Sequence, residues 1–380
     1  MRILVNAGEL APVGGVEQST FQVSRELHAR GHTISALYRE TGSSYDDWRS
    51  ITETLVQVPS FACTTQSPLR DLMKLPPALR AAVPTRPDVL WLNRAEQFVW
   101  GVSASRLCRV PLVVQLRTHL PFPGVKVAWR AASQFIAVSQ FIKDKWISAG
   151  VDPDRITVIN NGFEAAEYPY AGMDERSRRR AELGLPQDGN VVLYFGRISE
   201  AKGLHTLLEA WRQLDRGPDD RLLMVGDPGD DEERAYEARI KATQPDGVVW
   251  LPARRDVLSV LHAADTVVLP AHWQEAFGRV TIEAMATGRP VIGTRVGGVP
   301  EILSGEFADF LVPPADDKAL AATMAKLADW RSRDPGLAQR CTDHVHRNFD
   351  LKTIVDRIEG VLGTYARPRP AVRLPLRAAA

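Results

Sequence analysis

Two carboxylates, two cations and several glycines stand in this sequence where a ligand could be gripped. Glu275 opens the segment Glu275-Ala276-Phe277-Gly278-Arg279, and Glu283 lies further on in the helix-forming run Ile282-Glu283-Ala284-Met285-Ala286. With a helix start between them, the two carboxylates are separated by roughly 10 Å, too far to act as one general acid/base pair on a single bond. They can hold opposite ends of an elongated ligand, because carboxylates accept hydrogen bonds from hydroxyls. Gly278 removes a side chain at the helix start, where unpaired N–H groups and the positive end of the dipole suit a diphosphate. Taken singly, each glutamate has a plain structural alternative: Glu275 as a helix cap, Glu283 as an ordinary buried or solvated helix residue.

A second constellation is Phe195-Gly196-Arg197 followed by Lys202-Gly203. Arginine binds phosphate oxygens bidentately and lysine adds a compact charge, so the pair could neutralise a leaving diphosphate. Surface Arg and Lys would read the same way. The GxxxxGK[ST] spacing of a Walker loop is absent. Gly14-Gly15-Val16-Glu17 resembles a phosphate loop, although a tight strand-to-helix turn explains it equally well.

These segments need strand ends and helix starts to position them. Short apolar runs predict strands at Arg2–Ala7, His32–Tyr38, Val89–Leu92, Pro111–Leu116, Phe135–Ser139 and Ile156–Ile159. A second set falls at Val191–Phe195, Leu222–Val225, Val248–Leu251, Thr266–Leu269 and Val291–Gly293. Strands of this kind alternating with helices predict parallel sheets covered on both faces. Residues 41–87, rich in proline, read as irregular. The stretch 165–189, with Arg176-Ser177-Arg178-Arg179-Arg180, reads as a solvated interdomain region. The expected division is an N-terminal domain over 1–165, a C-terminal domain over 166–350, a last helix at about 351–367 packing back on the first domain, and a flexible tail at 368–380.

At 380 residues, 44% hydrophobic and 24% charged, the chain has the balance of a two-domain globular protein. A net charge of +1 gives no global field for nucleic acid, so no nucleic-acid partner is expected. The three cysteines, Cys63, Cys108 and Cys341, form no metal-binding pattern, even with His344 and His346 nearby. Asp152-Pro153-Asp154 spells a D-x-D but sits in a predicted turn. No metal site and no cofactor is expected. Reduced thiols and the lack of an apolar leader or span point to the cytoplasm. Peripheral membrane contact stays open, as does monomer or homodimer.

Together the motifs resemble the large retaining glycosyltransferase family numbered four, built as two facing Rossmann-like α/β domains with a cleft between them (the GT-B architecture). The matching stretches also include Ala137-Val138-Ser139, Asn160-Asn161-Gly162, Val225-Gly226-Asp227, Leu269-Pro270 and Gly297-Gly298-Val299-Pro300-Glu301. The resemblance implies a nucleoside-diphosphate sugar as co-substrate, UDP before GDP. It implies that Glu275 holds donor-sugar hydroxyls, Glu283 binds the ribose, and Arg197 with Lys202 holds the phosphates. Ala276, Phe277, Gly278, Arg279 and Gly226 would border the donor, and the base would lie near Leu251–Arg254. Gly15 would approach the reacting centre. Where relatives carry a His followed by Asp, this chain has Arg117-Thr118-His119. Either Arg117 or His119 could fill that place on the acceptor side, with Glu17 nearby. The implied reaction is direct transfer with retention, catalysed by Arg197, Lys202, Glu275 and His119. The acceptor is not legible; a small natural-product core is favoured, with a cell-envelope glycan or lipid next. Ala- and Arg-rich composition suggests a bacterial source. A sugar-nucleotide epimerase or a non-catalytic nucleotide-sugar-binding subunit are the competing readings.

Overall fold

A computed structural model describes residues 1–11, 14–61, 68–118, 129–273 and 275–367, with the side chains of 68–72 excepted. The chain forms two compact units. One comprises Met1–Ala137, Trp146–Ile159 and the segment from Val355 onward; the other comprises Val138–Lys145 and Asn160–Ile354.

The first unit is built on a seven-stranded sheet in the order β3-β2-β1-β4-β5-β6-β7. Its strands are β1 (Arg2–Glu9), β2 (Thr33–Glu40), β3 (Thr52–Gln57), β4 (Val89–Leu92), β5 (Leu112–Leu116), β6 (Gln134–Ala137) and β7 (Ile156–Val158). Every pairing is parallel. All residues of β4, β5 and β6 are buried, as strands covered on both faces must be. The helix Leu351–Tyr365 leaves the second unit and docks here. Arg30 pairs with Glu359 at 2.8 Å, His32 meets Glu359 at 2.8 Å, and Arg357 donates to the Val158 carbonyl at 2.6 Å.

The second unit carries a six-stranded parallel sheet in the order β10-β9-β8-β11-β12-β13. Its strands are β8 (Val191–Phe195), β9 (Arg221–Val225), β10 (Val248–Leu251), β11 (Thr266–Leu269), β12 (Val291–Thr294) and β13 (Leu311–Val312). In both sheets the order reverses beside the first strand of the unit, between β1 and β4 and between β8 and β11. Diverging loops at such a switch point leave a crevice at the carboxyl ends of the strands.

The arginine run is not the solvated stretch that its composition suggests. Arg176 and Arg180 are 7% and 0% exposed, whereas the Arg178 side chain is 60% exposed. Positions four apart share one face of the helix Met173–Glu182. That face meets the buried Asp265, which also accepts from Arg331 at 3.0 Å and from the Val191 N–H at 2.9 Å. Among the described residues, no helix is long and apolar enough to cross a membrane.

Candidate functional site

The loops after β8 and β11 carry most of the expected donor residues to the carboxyl end of the sheet. After β8 the chain turns through Gly196 and Arg197, then through Glu200–Lys202 to Gly203, whose φ of 68° caps that turn before the helix Leu204–Gln213. A Cβ on Gly203 would lie 2.1 Å from the Pro270 carbonyl and 2.6 Å from the His272 ring, so only glycine lets the two loops meet. The His272 N–H donates to the Ala201 carbonyl at 2.9 Å, and its ring bonds Thr206 at 2.8 Å. Across this junction Lys202 Nζ sits 2.5 Å from Glu275 Oε2. Both side chains are partly accessible, 29% and 14% exposed, so this ammonium–carboxylate pair reaches solvent.

Arg197 takes a different partner. Its Nε donates to Glu233 Oε2 at 2.7 Å, its Nη2 lies 3.6 Å from Asp230, and its side chain is 55% exposed. Tyr194, fully buried, donates its hydroxyl to the Arg197 carbonyl at 2.6 Å and so fixes this turn from beneath. Burial, and then the charge of Glu275, raises the Tyr194 phenol well above its usual value, so it remains a donor. Gly226 closes the neighbouring loop: a Cβ there would stand 1.8 Å from the Gly196 carbonyl. Arg254 follows β10, half-buried, in a loop tied to the end of β9 by the Ala253 N–H donating to Asp227 at 3.1 Å.

Glu283 is not presented as an open carboxylate. Arg279 donates to its Oε1 from Nε at 3.1 Å and from Nη2 at 2.9 Å, and both residues are buried. Phe277 is a core residue, 2% exposed and edge-on to Phe349 at 5.7 Å, so only its backbone is offered. Gly278, at φ 96°, opens the helix Arg279–Ala286 in a conformation few other residues adopt.

The segment Gly297–Glu301 and Ser139 clamp the Glu275 loop, a role that sequence reasoning did not assign. The Gly298 N–H donates to the Glu275 carbonyl at 2.9 Å, and Ser139 Oγ donates to the Ala276 carbonyl at 2.6 Å. Glu301 accepts from the Gln140 and Phe141 amides at 2.9 and 3.1 Å, fixing the head of the helix Gln140–Ser148 on which Ser139 acts as cap. Gly297 lies at φ 58°, and a Cβ there would meet the Glu275 carbonyl at 1.7 Å. Gly297→Ala is therefore expected to cost about 1–3 kcal/mol and to displace the loop. A urea denaturation midpoint unchanged from the wild type would refute that.

Two imidazoles border the site. His205 and His272 stack edge to face at 4.6 Å. Burial lowers both pKa values, and His205 lowers that of His272 further, so both are neutral at neutral pH.

In the first unit, Gly15 begins the helix Gly15–Ala29. Glu17 is buried against Arg94, which follows β4. Arg117, at the end of β5, donates to Asn93 Oδ1 at 3.2 Å, and Thr20 donates to the same oxygen at 3.2 Å. Glu17 and Arg117 thus belong to a polar network at the ends of β4 and β5; His119 lies outside the described residues. Asp152 accepts from the Asp154 amide at 3.0 Å, a turn interaction, and His344 contacts the Ile302 carbonyl at 2.8 Å.

Comparison with known proteins matches this architecture twice. The family description Glycosyltransferase Family 4 fits residues 13–167, and Glycosyl transferases group 1 fits residues 175–342. The chain belongs to the group 1, family-four glycosyltransferases of the GT-B type. It is 30% identical over 231 residues to a D-inositol 3-phosphate glycosyltransferase of Corynebacterium kroppenstedtii, covering 58% of this chain and 51% of that one. It is 27% identical to the enzyme of the same name from Acidothermus cellulolyticus, covering 93% and 85%. The chain thus spans about half the length of the first relative and most of the second. A crystal structure of Anabaena Alr3699/HepE in complex with UDP and glucose superposes with a TM-score of 0.81 at 25% identity, covering 96% of this chain and 100% of that one.

Proposed function

We propose that this chain moves a hexose or aminohexose from a nucleoside-diphosphate sugar, UDP-linked first, to an acceptor hydroxyl with retention and without a metal. The observation that carries the reading is the Lys202–Glu275 pair at the β8/β11 switch point. A diphosphate entering there draws Lys202 away from Glu275 and frees that carboxylate for sugar hydroxyls. Arg197 adds a second cation from the next turn, and the helix start at Gly278 adds backbone dipole. Ribose hydroxyls would compete with Arg279 for Glu283. The solved relative in complex with UDP and glucose supports a uridine nucleotide.

In the reaction, the anomeric carbon–phosphate oxygen bond breaks as the acceptor oxygen bonds to the same face. The departing phosphate oxygen takes the acceptor's proton, so no protein carboxylate need form a covalent intermediate. Catalysis then rests on positioning and on stabilising charge at the diphosphate. A small natural-product core is the favoured acceptor, in the cytoplasm.

Thermal-shift titration with UDP, GDP and dTDP tests the donor site directly. UDP at a hundred times its Kd is expected to stabilise the fold by about 2.7 kcal/mol. Failure of all three to raise Tm would overturn the proposal.

A further inference from the structure

The chain has nine tryptophans. Seven are buried and Trp250 is half-buried, but Trp273 is 51% exposed. It stands two positions before Glu275, in the loop that leaves β11. That loop is rooted by the His272 bonds to Ala201 and Thr206 and by the close fit of Gly203, so the position of Trp273 is fixed relative to Lys202. Its ring is tilted 45° from His272 at a centroid distance of 6.0 Å, so the two rings are not stacked face to face. A large rigid apolar surface held out to water in this way is characteristic of a recognition anchor.

We infer that Trp273 is a stacking platform for a saturated, polyhydroxylated ring on the acceptor, so that the acceptor is a carbohydrate or carries one. This rests on the donor-site reading above. The sheet order separates the two ends of the donor. On that reading the base lies near Leu251–Arg254 at the end of β10, two strands from β8, whereas β11 lies on the opposite side of β8. Trp273 is therefore on the sugar side of the site. Glu275, at 14% exposed, is deeper than Trp273, so the donor sugar occupies the inner position and the acceptor ring the rim. A pyranose offers an apolar C–H face to indole while its hydroxyls stay in water.

Acrylamide quenching of tryptophan fluorescence tests this, because Trp273 is the exposed fluorophore. Trp273→Phe is expected to remove most of the quenchable emission and to keep the wild-type Tm. Maltose added to the wild type with saturating UDP is expected to shield the same component. Three results overturn the inference: maltose with UDP shields nothing, UDP alone gives the full shielding, or the shielding persists in Trp273→Phe. The UDP thermal shift of the wild type is read separately. Its absence would sink the donor-site reading, whereas its presence without maltose shielding sinks only the platform.

Discussion

Lys202→Ala is expected to lower kcat/KM for the nucleotide sugar by about 10²- to 10³-fold, the usual cost of removing one preorganised group that stabilises developing charge. The substitution acts twice. It removes positive charge from the leaving diphosphate, and it leaves Glu275 without the ammonium 2.5 Å away. Because both side chains reach solvent, the fold should tolerate the change, with Tm falling far less than the rate. Lys202→Arg should recover part of the loss by restoring charge without the geometry. Steady-state kinetics with UDP-sugar, together with Tm for each variant, decide the matter. A Lys202→Ala variant with full activity would remove Lys202 from the mechanism.

The largest effect on stability is expected away from that site, at Asp265. Its carboxylate is 4% exposed and bonds Arg176 at 2.8 Å, Arg180 at 2.5 Å and Arg331 at 3.0 Å. Arg289, also buried, lies close by and donates to the Ala171 and His262 carbonyls at 3.1 and 2.7 Å. Burial pushes the Arg180 guanidinium down to about 10, which still leaves it charged at neutral pH. Asp265→Asn keeps the shape but removes the negative charge from a group of buried cations. Breaking a buried ion pair in this way costs about 3–5 kcal/mol.

Burial alone would raise the pKa of Asp265, but the Arg176 hydrogen bond and the surrounding guanidinium charges hold it below the ordinary carboxylate value. A depressed folded-state pKa gives stabilisation that is complete above the unfolded value, about 3.9, and is lost as pH falls through the folded value. The stability gap between wild type and Asp265→Asn should therefore be flat through neutral pH and narrow only in acid. Urea melts of both proteins across that range measure it. A gap under 1 kcal/mol at neutral pH would show the cluster to be dispensable.

What the sequence made legible follows from where burial and chemistry coincide. The central strands are continuous apolar runs, and all eleven of the expected positions hold strands. β3 escaped because Thr52-Glu53-Thr54-Leu55-Val56-Gln57 is a half-exposed edge strand without an apolar run. The helix Pro68–Ala82 escaped because Pro76 and Pro77 lie inside it and read as breakers. In the arginine run, composition suggested a wet surface, whereas the four-residue spacing of Arg176 and Arg180 held the burial signal. At the site, Lys202 and Glu275 were legible as types but not as partners, since 73 residues separate them. Tyr194 was missed because a buried strand tyrosine reads as core, although its hydroxyl reaches the Arg197 carbonyl three residues on. Ser139 stood in the Ala137-Val138-Ser139 motif, but its bond to the Ala276 carbonyl spans 137 residues and no local pattern encodes it.

The path of the chain through the two units has a consequence for synthesis. The chain passes from one unit to the other after Ala137, Lys145, Ile159 and Ile354. No single cut in the gene would yield either unit whole. On the ribosome, the seven-stranded sheet emerges first but lacks the helical turns that complete the pairing of Arg30 and His32 until Asp356 and Glu359 are made. The six-stranded sheet has all its strands by Val312. The half translated first is thus the half completed last, and a nascent chain stalled before Val355 should leave it open to chaperones and proteases.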